Sequence, residues 1–235
     1  MGQIYLIRHG QASFGSADYD RLSELGVQQA RVLGEWYAER RQGFTRVITG
    51  GMNRHRQTAV ACLGELPRHL RKEGDWETDA GFAEYDHEEI LIRARPEFAD
   101  ASVLNRFLSD SGQPRQTFQL LFEAAMARWS SGDHDADYSE SWNTFRQRCV
   151  AALQRVLMTP GESQTVVIFT SGGTISALCQ HVMGLPDSKV FEINWSLVNS
   201  GVTRLLFNAD RLSMSYLNNF SHLEWRAQPG SITYR

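Results

Sequence analysis

The run Thr165-Val166-Val167-Ile168-Phe169-Thr170, followed at once by Ser171-Gly172-Gly173, limits the fold more than any other stretch of this chain. A strand apolar at its centre, with no polar face and rich in β-branched residues, suits a sheet covered on both sides. The glycines then turn the chain into a helical pattern that runs to about Met183. A buried strand that passes through a tight turn into a helix is the opening of a parallel crossover.

The same succession begins the chain. Ile4 to Ile7 is an apolar strand ending at Arg8, and a loop with Gly10, Gly15 and Asp18 follows. Ser23 caps a helix whose apolar positions Leu25, Ala30, Leu33, Trp36 and Tyr37 recur at helical spacing, with Gly43 beyond its end near Arg40 and Arg41. Thr45 to Thr49 reads as a second strand broken by Gly50-Gly51, and Asn53 to Leu66 as a second helix. A third strand is expected near Thr78 to Phe82. Two helical patterns separated by Ser111-Gly112-Gln113-Pro114 lie between Pro96 and Arg128, and another helix runs from about Trp142 to Met158. Val202 to Phe207 and Leu212 to Leu217, joined by Asn208-Ala209-Asp210, form a terminal hairpin. The expected fold is an α/β, three-layer α/β/α sandwich around a largely parallel sheet. It forms one domain over residues 1–235, with a helical insert roughly at 85–140.

Composition removes whole classes of function. Lys plus Arg number 24 against 27 Asp plus Glu, a net charge of −3 over 235 residues. That balance lacks the basic face that nucleic-acid binding needs. Cys62, Cys149 and Cys179 are odd in number and form no CxxC pair, which disfavours both a disulfide framework and a zinc site. No apolar run approaches the roughly 20 residues of a membrane span. Gly2 invites a myristoylation reading, but Leu6 stands where that motif needs Ser or Thr. These observations predict a cytoplasmic protein with no membrane or nucleic-acid partner, no cofactor and no metal.

In open α/β sheets ligands bind beyond the carboxyl ends of the strands. The loops there are Arg8-His9-Gly10, Gly50 to Arg54, and Ser171-Gly172-Gly173. The last opens a helix, whose free N–H groups and dipole favour an anion. Arg8 and Arg54 add guanidinium forks suited to phosphate or carboxylate. The residues alone therefore describe an oxyanion pocket with an imidazole, His9, inside it.

Leu6-Ile7-Arg8-His9-Gly10-Gln11, Leu22-Ser23-Glu24-Leu25-Gly26 with Gln29-Ala30, Arg54-His55-Arg56-Gln57-Thr58-Ala59, Glu84, and Val166 to Thr174 occur in an order that resembles the histidine phosphatase (phosphoglycerate mutase-like) superfamily. The resemblance implies that a phosphoryl group passes through a phosphohistidine on His9. Arg8 and Arg54 would clamp the phosphate oxygens, Ser171 and Gly172 would help bind them, and Glu84 would serve as the acid. The partner implied is a small-molecule phosphate ester or phosphorylated ligand.

The chain also departs from the family. Ser171 stands where the family carries a second histidine, Gly15 is near the place of a loop asparagine, and His87 replaces a glycine after the acid. Exchanging a charged hydrogen bond for the neutral one of Ser171 costs about 1–2 kcal/mol, or about 5- to 30-fold in rate. Other readings therefore stand beside hydrolysis. One is a phosphatase-like sensor with little turnover, another is mutase-type transfer, and a third is a serine hydrolase using Ser171. The last lacks the usual elbow, since Phe169 occupies its first glycine position. Asp86, Glu88 and Glu89 crowd Glu84 and leave room for a merely solvated acidic face. Asp133 to Asp137 resembles the opening of a calcium loop, but Tyr138 and Thr144 replace its required glycine and glutamate, so an exposed acidic turn is expected. The aromatic positions from Phe98 to Trp129 read as core or lid. His55, His69, His181 and His222 lack metal-ligand spacing and read as structural or surface groups.

Overall fold

Parallel crossovers are right-handed, so the direction in which the chain moves along a sheet decides which face its helix covers. The computed structural model describes residues 1–13, 20–70, 76–159 and 164–234, so Gly15 and Asp18 lie outside the described residues. Its sheet has the order β3-β2-β4-β1-β5-β6, with β1 at Gly2–Arg8, β2 at Arg46–Thr49, β3 at Glu77–Thr78, β4 at Thr165–Thr170, β5 at Val202–Phe207 and β6 at Leu212–Asn219. β3, β2, β4 and β1 run parallel, and β5 and β6 close the other edge antiparallel.

From β1 the chain moves towards β3, carrying α1 (Glu24–Glu39) and α2 (Asn53–Gly64) onto one face. From β3 it returns to β4 through α6 (Trp142–Leu157), and α7 (Gly172–Met183) follows β4. The two directions part between β1 and β4, which makes that gap the topological switch point where α/β sheets bind ligands. The product is the expected three-layer α/β/α sandwich.

Side-chain alternation fills both faces. Tyr5 and Ile7 of β1 pack with Val167 and Phe169 of β4 against Ala30, Leu33 and Tyr37 of α1 and Ala59, Cys62 and Leu63 of α2. Ile4, Leu6, Val166 and Ile168 point the other way and are just as fully buried. Burying both faces of β1 and β4 is what their unbroken apolar runs require. Ser23 caps α1 by accepting from Gly26 N–H at 3.0 Å, as its position before the helix predicts.

One compact unit comprises residues 1–84 and 148–235. The other comprises residues 85–147, the boundary falling within α6. The second unit is helical. It contains α3 (His87–Ala94), capped by the Asp86 carboxylate, α4 (Ala101–Asp110), capped by Asp100, and α5 (Pro114–Ser130). Tyr85, Trp129, Trp142 and Phe145 form its aromatic core, with ring centroids 5.1–5.8 Å apart. Asp137 pairs with Arg128 in an exposed turn, so the acidic run from Asp133 is held by a cation of its own chain.

Four elements depart from the sequence expectation, one being α3, which the Asp86 cap starts ahead of the first expected helical pattern at Pro96. The strand near Thr78–Phe82 is Glu77–Thr78, because Asp79 accepts from Gly81 N–H and coils Ala80–Phe82 into a 3-10 turn. α8 (Asp187–Ser196) and α9 (Ser221–Arg226) were not anticipated. α8 follows Pro186 with no side-chain cap, and α9 is under two turns long.

The start of α1 touches the loop after β1 backbone to backbone. A Cβ on Gly26 would lie 2.1 Å from Gln11 O, and one on Gly10 would lie 2.2 Å from Gly26 O. Neither neighbour is a flexible side chain that could swing aside. Gly26→Ala should therefore cost about 1–3 kcal/mol of stability, read as a lower urea midpoint at unchanged m-value.

Candidate active site

β2, β4 and β1 end nearly level, because Arg8 pairs with Thr170 and Thr49 with Phe169. The loops that follow are thereby brought together. His9 N–H continues the ladder to Thr170 O at 2.9 Å, and Gly50 N–H does the same to Phe169 O at 3.0 Å. α2 starts just after Gly50-Gly51 and presents Arg54 and His55 from its first turn, while α7 starts at Gly172.

Arg8, His9, Arg54, His55 and Ser171 are all buried, with exposures of 9%, 7%, 4%, 0% and 0%. Arg8 Nη1 donates to the Leu197 carbonyl at the end of α8. A Cβ on Gly172 would lie 3.5 Å from Arg8 Nε, which places the first residue of α7 against that guanidinium. Arg54 Nη1 donates to Asp20 Oδ1 at 2.9 Å, and Asp20 Oδ2 accepts from Asn53 N–H at 2.8 Å. Asp20 thus caps α2 and fixes one edge of the Arg54 fork.

His9 Nδ1 is 2.7 Å from the Gly10 carbonyl. A carbonyl only accepts, so Nδ1 carries the hydrogen and Nε2 keeps its lone pair. Burial first, then the charges of Arg54 and Arg8, and then His55 hold the His9 pKa well below its usual value. The ring is therefore neutral at pH 7, the state a nucleophile needs.

Behind it the backbone is held from several sides. Asn199 Nδ2 donates to His9 O at 3.2 Å, Ser200 N–H donates to Arg8 O, and Thr58 Oγ1 accepts from Gly10 N–H at 3.1 Å. Ser200 adopts φ 60°, a left-handed conformation unusual for serine, and its hydroxyl lies 2.8 Å from Nε2 of the buried His222. Gln29 joins two segments distant in sequence. Its Oε1 accepts from Gln11 N–H at 2.9 Å, and its Nε2 donates to Ser231 O and Thr233 Oγ1 at 2.7 and 2.8 Å.

Glu84 Oε2 accepts from Gly173 N–H at 3.0 Å, in the first turn of α7. Arg148 and Thr174 hold the segment before it. Arg148 Nη1 donates to the carbonyls of Ala80, Gly81 and Ala83, and Thr174 Oγ1 donates to Ala83 O. The neighbouring acids have other duties, since Asp86 caps α3 and Glu89 accepts from Ser139. His87 opens α3 in the other unit.

By spacing alone His55 falls with the structural and surface histidines. His69 and His181 are indeed exposed, whereas His55 is buried in this cluster. Its Nε2 is 2.6 Å from Ser171 Oγ and its ring centroid 5.9 Å from that of His9. A signal for it was present: His55, Ala59 and Cys62 recur at helical spacing on one face of α2.

The sequence matches the family model of the histidine phosphatase superfamily (branch 1) over residues 4–116 and 105–220. The chain belongs to this superfamily. Solved structures share the histidine phosphatase fold. Phosphoglycerate mutase from Bacillus anthracis is similar with a TM-score of 0.63 at 16% identity, covering 97% of this chain and 97% of that one. A phosphoserine phosphatase from Entamoeba histolytica, solved with phosphoserine, gives 0.63 at 16% identity over 95% of this chain and 100% of that one. A mycobacterial glucosyl-3-phosphoglycerate phosphatase gives 0.57 at 21% identity over 93% and 99%. No curated protein sequence matches the chain. Among the described residues, no helix is long and apolar enough to cross a membrane.

The buried histidines set a pH dependence of stability. Burial pushes His55, with the help of Arg54, and His222 down to about 3, and His9 moves the same way. Below about 6.5 the unfolded chain takes up protons that the folded one refuses, so stability present above that pH is lost as pH falls. Between pH 7 and pH 5, His55 and His222 should each remove about 2 kcal/mol. Urea unfolding at the two pH values tests this, and His222→Gln should recover about half of the loss attributed to that pair.

Proposed function

We propose that this histidine phosphatase family member hydrolyses a phosphate ester through a phosphohistidine on His9. The observation that carries the reading is the His9 ring, fixed through Nδ1 by the Gly10 carbonyl so that Nε2 keeps its lone pair, with the charges of Arg54 and Arg8 acting on it. In the first step Nε2 attacks phosphorus while the ester oxygen leaves with a proton from the Glu84 carboxyl group. The phosphorylated ring is cationic, and its Nδ1–H stays on the Gly10 carbonyl. In the second step water attacks phosphorus, Glu84 takes the water's proton, and the electron pair of the N–P bond returns to Nε2. Inorganic phosphate leaves.

Arg8, Arg54, Ser171, Gly172 and the first turn of α7 bind the phosphate oxygens in this scheme. Dense negative charge on the transferring group makes positioning and electrostatic stabilisation the main catalytic work. Protein groups supply this field in every step. The substrate is a small phosphorylated molecule. Residues 1–235 are read as one domain of this type, with the helices of roughly 85–140 as an insert. Hydrolysis is preferred to mutase-type transfer, because transfer requires the phosphohistidine to be kept and redelivered to a bound product, and nothing in the insert sequence marks it for that.

The contact between Ser171 Oγ and His55 Nε2 also has the distance of a serine nucleophile and its base. Such a base needs a third group on its other nitrogen, and among the described residues His55 Nδ1 has no hydrogen-bond partner. Its pKa of about 3 further disfavours proton uptake near neutrality.

The experiment is a quench of enzyme mixed with a radiolabelled generic phosphomonoester. An acid-labile, base-stable label should appear on the protein and disappear in His9→Ala, which should be inactive. Glu84→Gln should lower steady-state turnover by about 10²–10⁴-fold. A fully active His9→Ala would overturn the assignment.

A further inference from the structure

Serine is among the best helix N-caps, and this chain shows both outcomes of placing one there. Ser23 caps α1 by accepting from Gly26 N–H. Ser171 holds the equivalent extended position before α7, at φ −118° and ψ 169°, yet makes no capping bond. Its hydroxyl is instead 2.6 Å from His55 Nε2.

The hydrogens of this pair can be counted. A neutral imidazole has one N–H and serine one O–H, but only one hydrogen bond joins them. If Nδ1 carried the imidazole hydrogen, it would be a buried donor without an acceptor, since Nδ1 has no partner among the described residues and faces the Gly50 backbone. Orphaned buried N–H groups are the rarer kind of unsatisfied group. The hydrogen therefore belongs on Nε2, which donates to Ser171 Oγ. The serine hydroxyl hydrogen is the one left over, at the mouth of α7, with no other acceptor bonded to it among the described residues.

We infer that His55 is a positioning residue for anion binding: it draws the Ser171 hydroxyl away from capping α7, whose Gly173 N–H is held by Glu84, and so keeps the Ser171 O–H and the remaining amides of the first turn for a phosphate oxygen. The inference rests on the pocket being a phosphate site, as proposed above. The chain of donors from Nε2–H to Oγ–H to phosphate also polarises each bond in turn. Without the imidazole, the hydroxyl is released to accept from the first turn of α7, as Ser23 does at α1. The helix then satisfies its own N-terminus and competes with the ligand.

The inference is tested on the intact chain by titrating inorganic phosphate, followed calorimetrically, which requires no turnover. His55→Leu and Ser171→Ala should each weaken phosphate by about 3- to 10-fold, the worth of one neutral hydrogen bond. In the Ser171→Ala background His55→Leu should add less than about 2-fold, because the group it positions is gone. His55→Gln, whose amide N–H reaches the Nε2 position, should stay within about 2-fold of the parent. His55→Asn keeps an amide but falls short of Ser171, so it should behave as His55→Leu and replaces it if the leucine variant does not fold. Losses that multiply in the double variant, a glutamine as poor as leucine, or a parent chain that binds no phosphate would each overturn the inference. If the phosphate cycle behaves as stated while no phosphohistidine forms on His9, the positioning role stands and the catalytic reading falls.

Discussion

The hydrogen-bond ladder between β1 and β4 does not stop where the strands do. His9 N–H donates to Thr170 O one step beyond the last paired residues, and Ser200 N–H binds Arg8 O from the opposite side. The backbone that carries the histidine is thus part of the sheet, not of a mobile loop. Everything proposed for the site depends on this. Arg8, Ser171 and the first amides of α7 take their places relative to His9 from the same in-register pairing, and Gly50 fixes the start of α2 by one further bond to Phe169. A catalytic group on a rigid element holds its geometry more closely than one on a loop.

Such an arrangement concentrates like charge. Two buried guanidinium groups and a helix N-terminus lie after neighbouring strands, and two carboxylates bond to Arg54 and to the helix starts. Asp20 takes one edge of Arg54 and the amides of α2, and Glu84 takes one amide of α7. The histidines in between answer by staying neutral. In the proposed reaction, groups held in this way would need little reorganisation to receive a phosphate.

Much of this was readable from residue order, and the exceptions have physical reasons. Thr165–Thr170 was placed to the residue because a strand buried on both faces tolerates no ambiguity of pattern. The cap at Ser23 and the hairpin are as apparent, although the second hairpin strand runs on to Asn219. α8 escaped notice because Pro186 offers no side-chain cap, and β3 was drawn too long because a turn set by Asp79 cannot be told from an extended segment by hydrophobicity alone. His55 was passed over for a different reason. An imidazole among arginines in Arg54-His55-Arg56 looks solvated until the helix face is traced through Ala59 and Cys62. Its partnership with Ser171 spans 116 positions and has no local signature.

The bridge made by Gln29 has a bearing on how this protein comes into being. β1 lies between β4 and β5, and the loop after it is tied through Gln29 to Ser231 and Thr233, a separation of up to 204 residues. The apolar strand Ile4–Ile7 finds its sheet neighbours only at Val166–Phe169 and Val202–Leu205, far along the chain. Folding with such distant pairings is slow, and the waiting strand is open to association with other chains. The segment that carries His9 is thus fixed only once these distant pairings have formed.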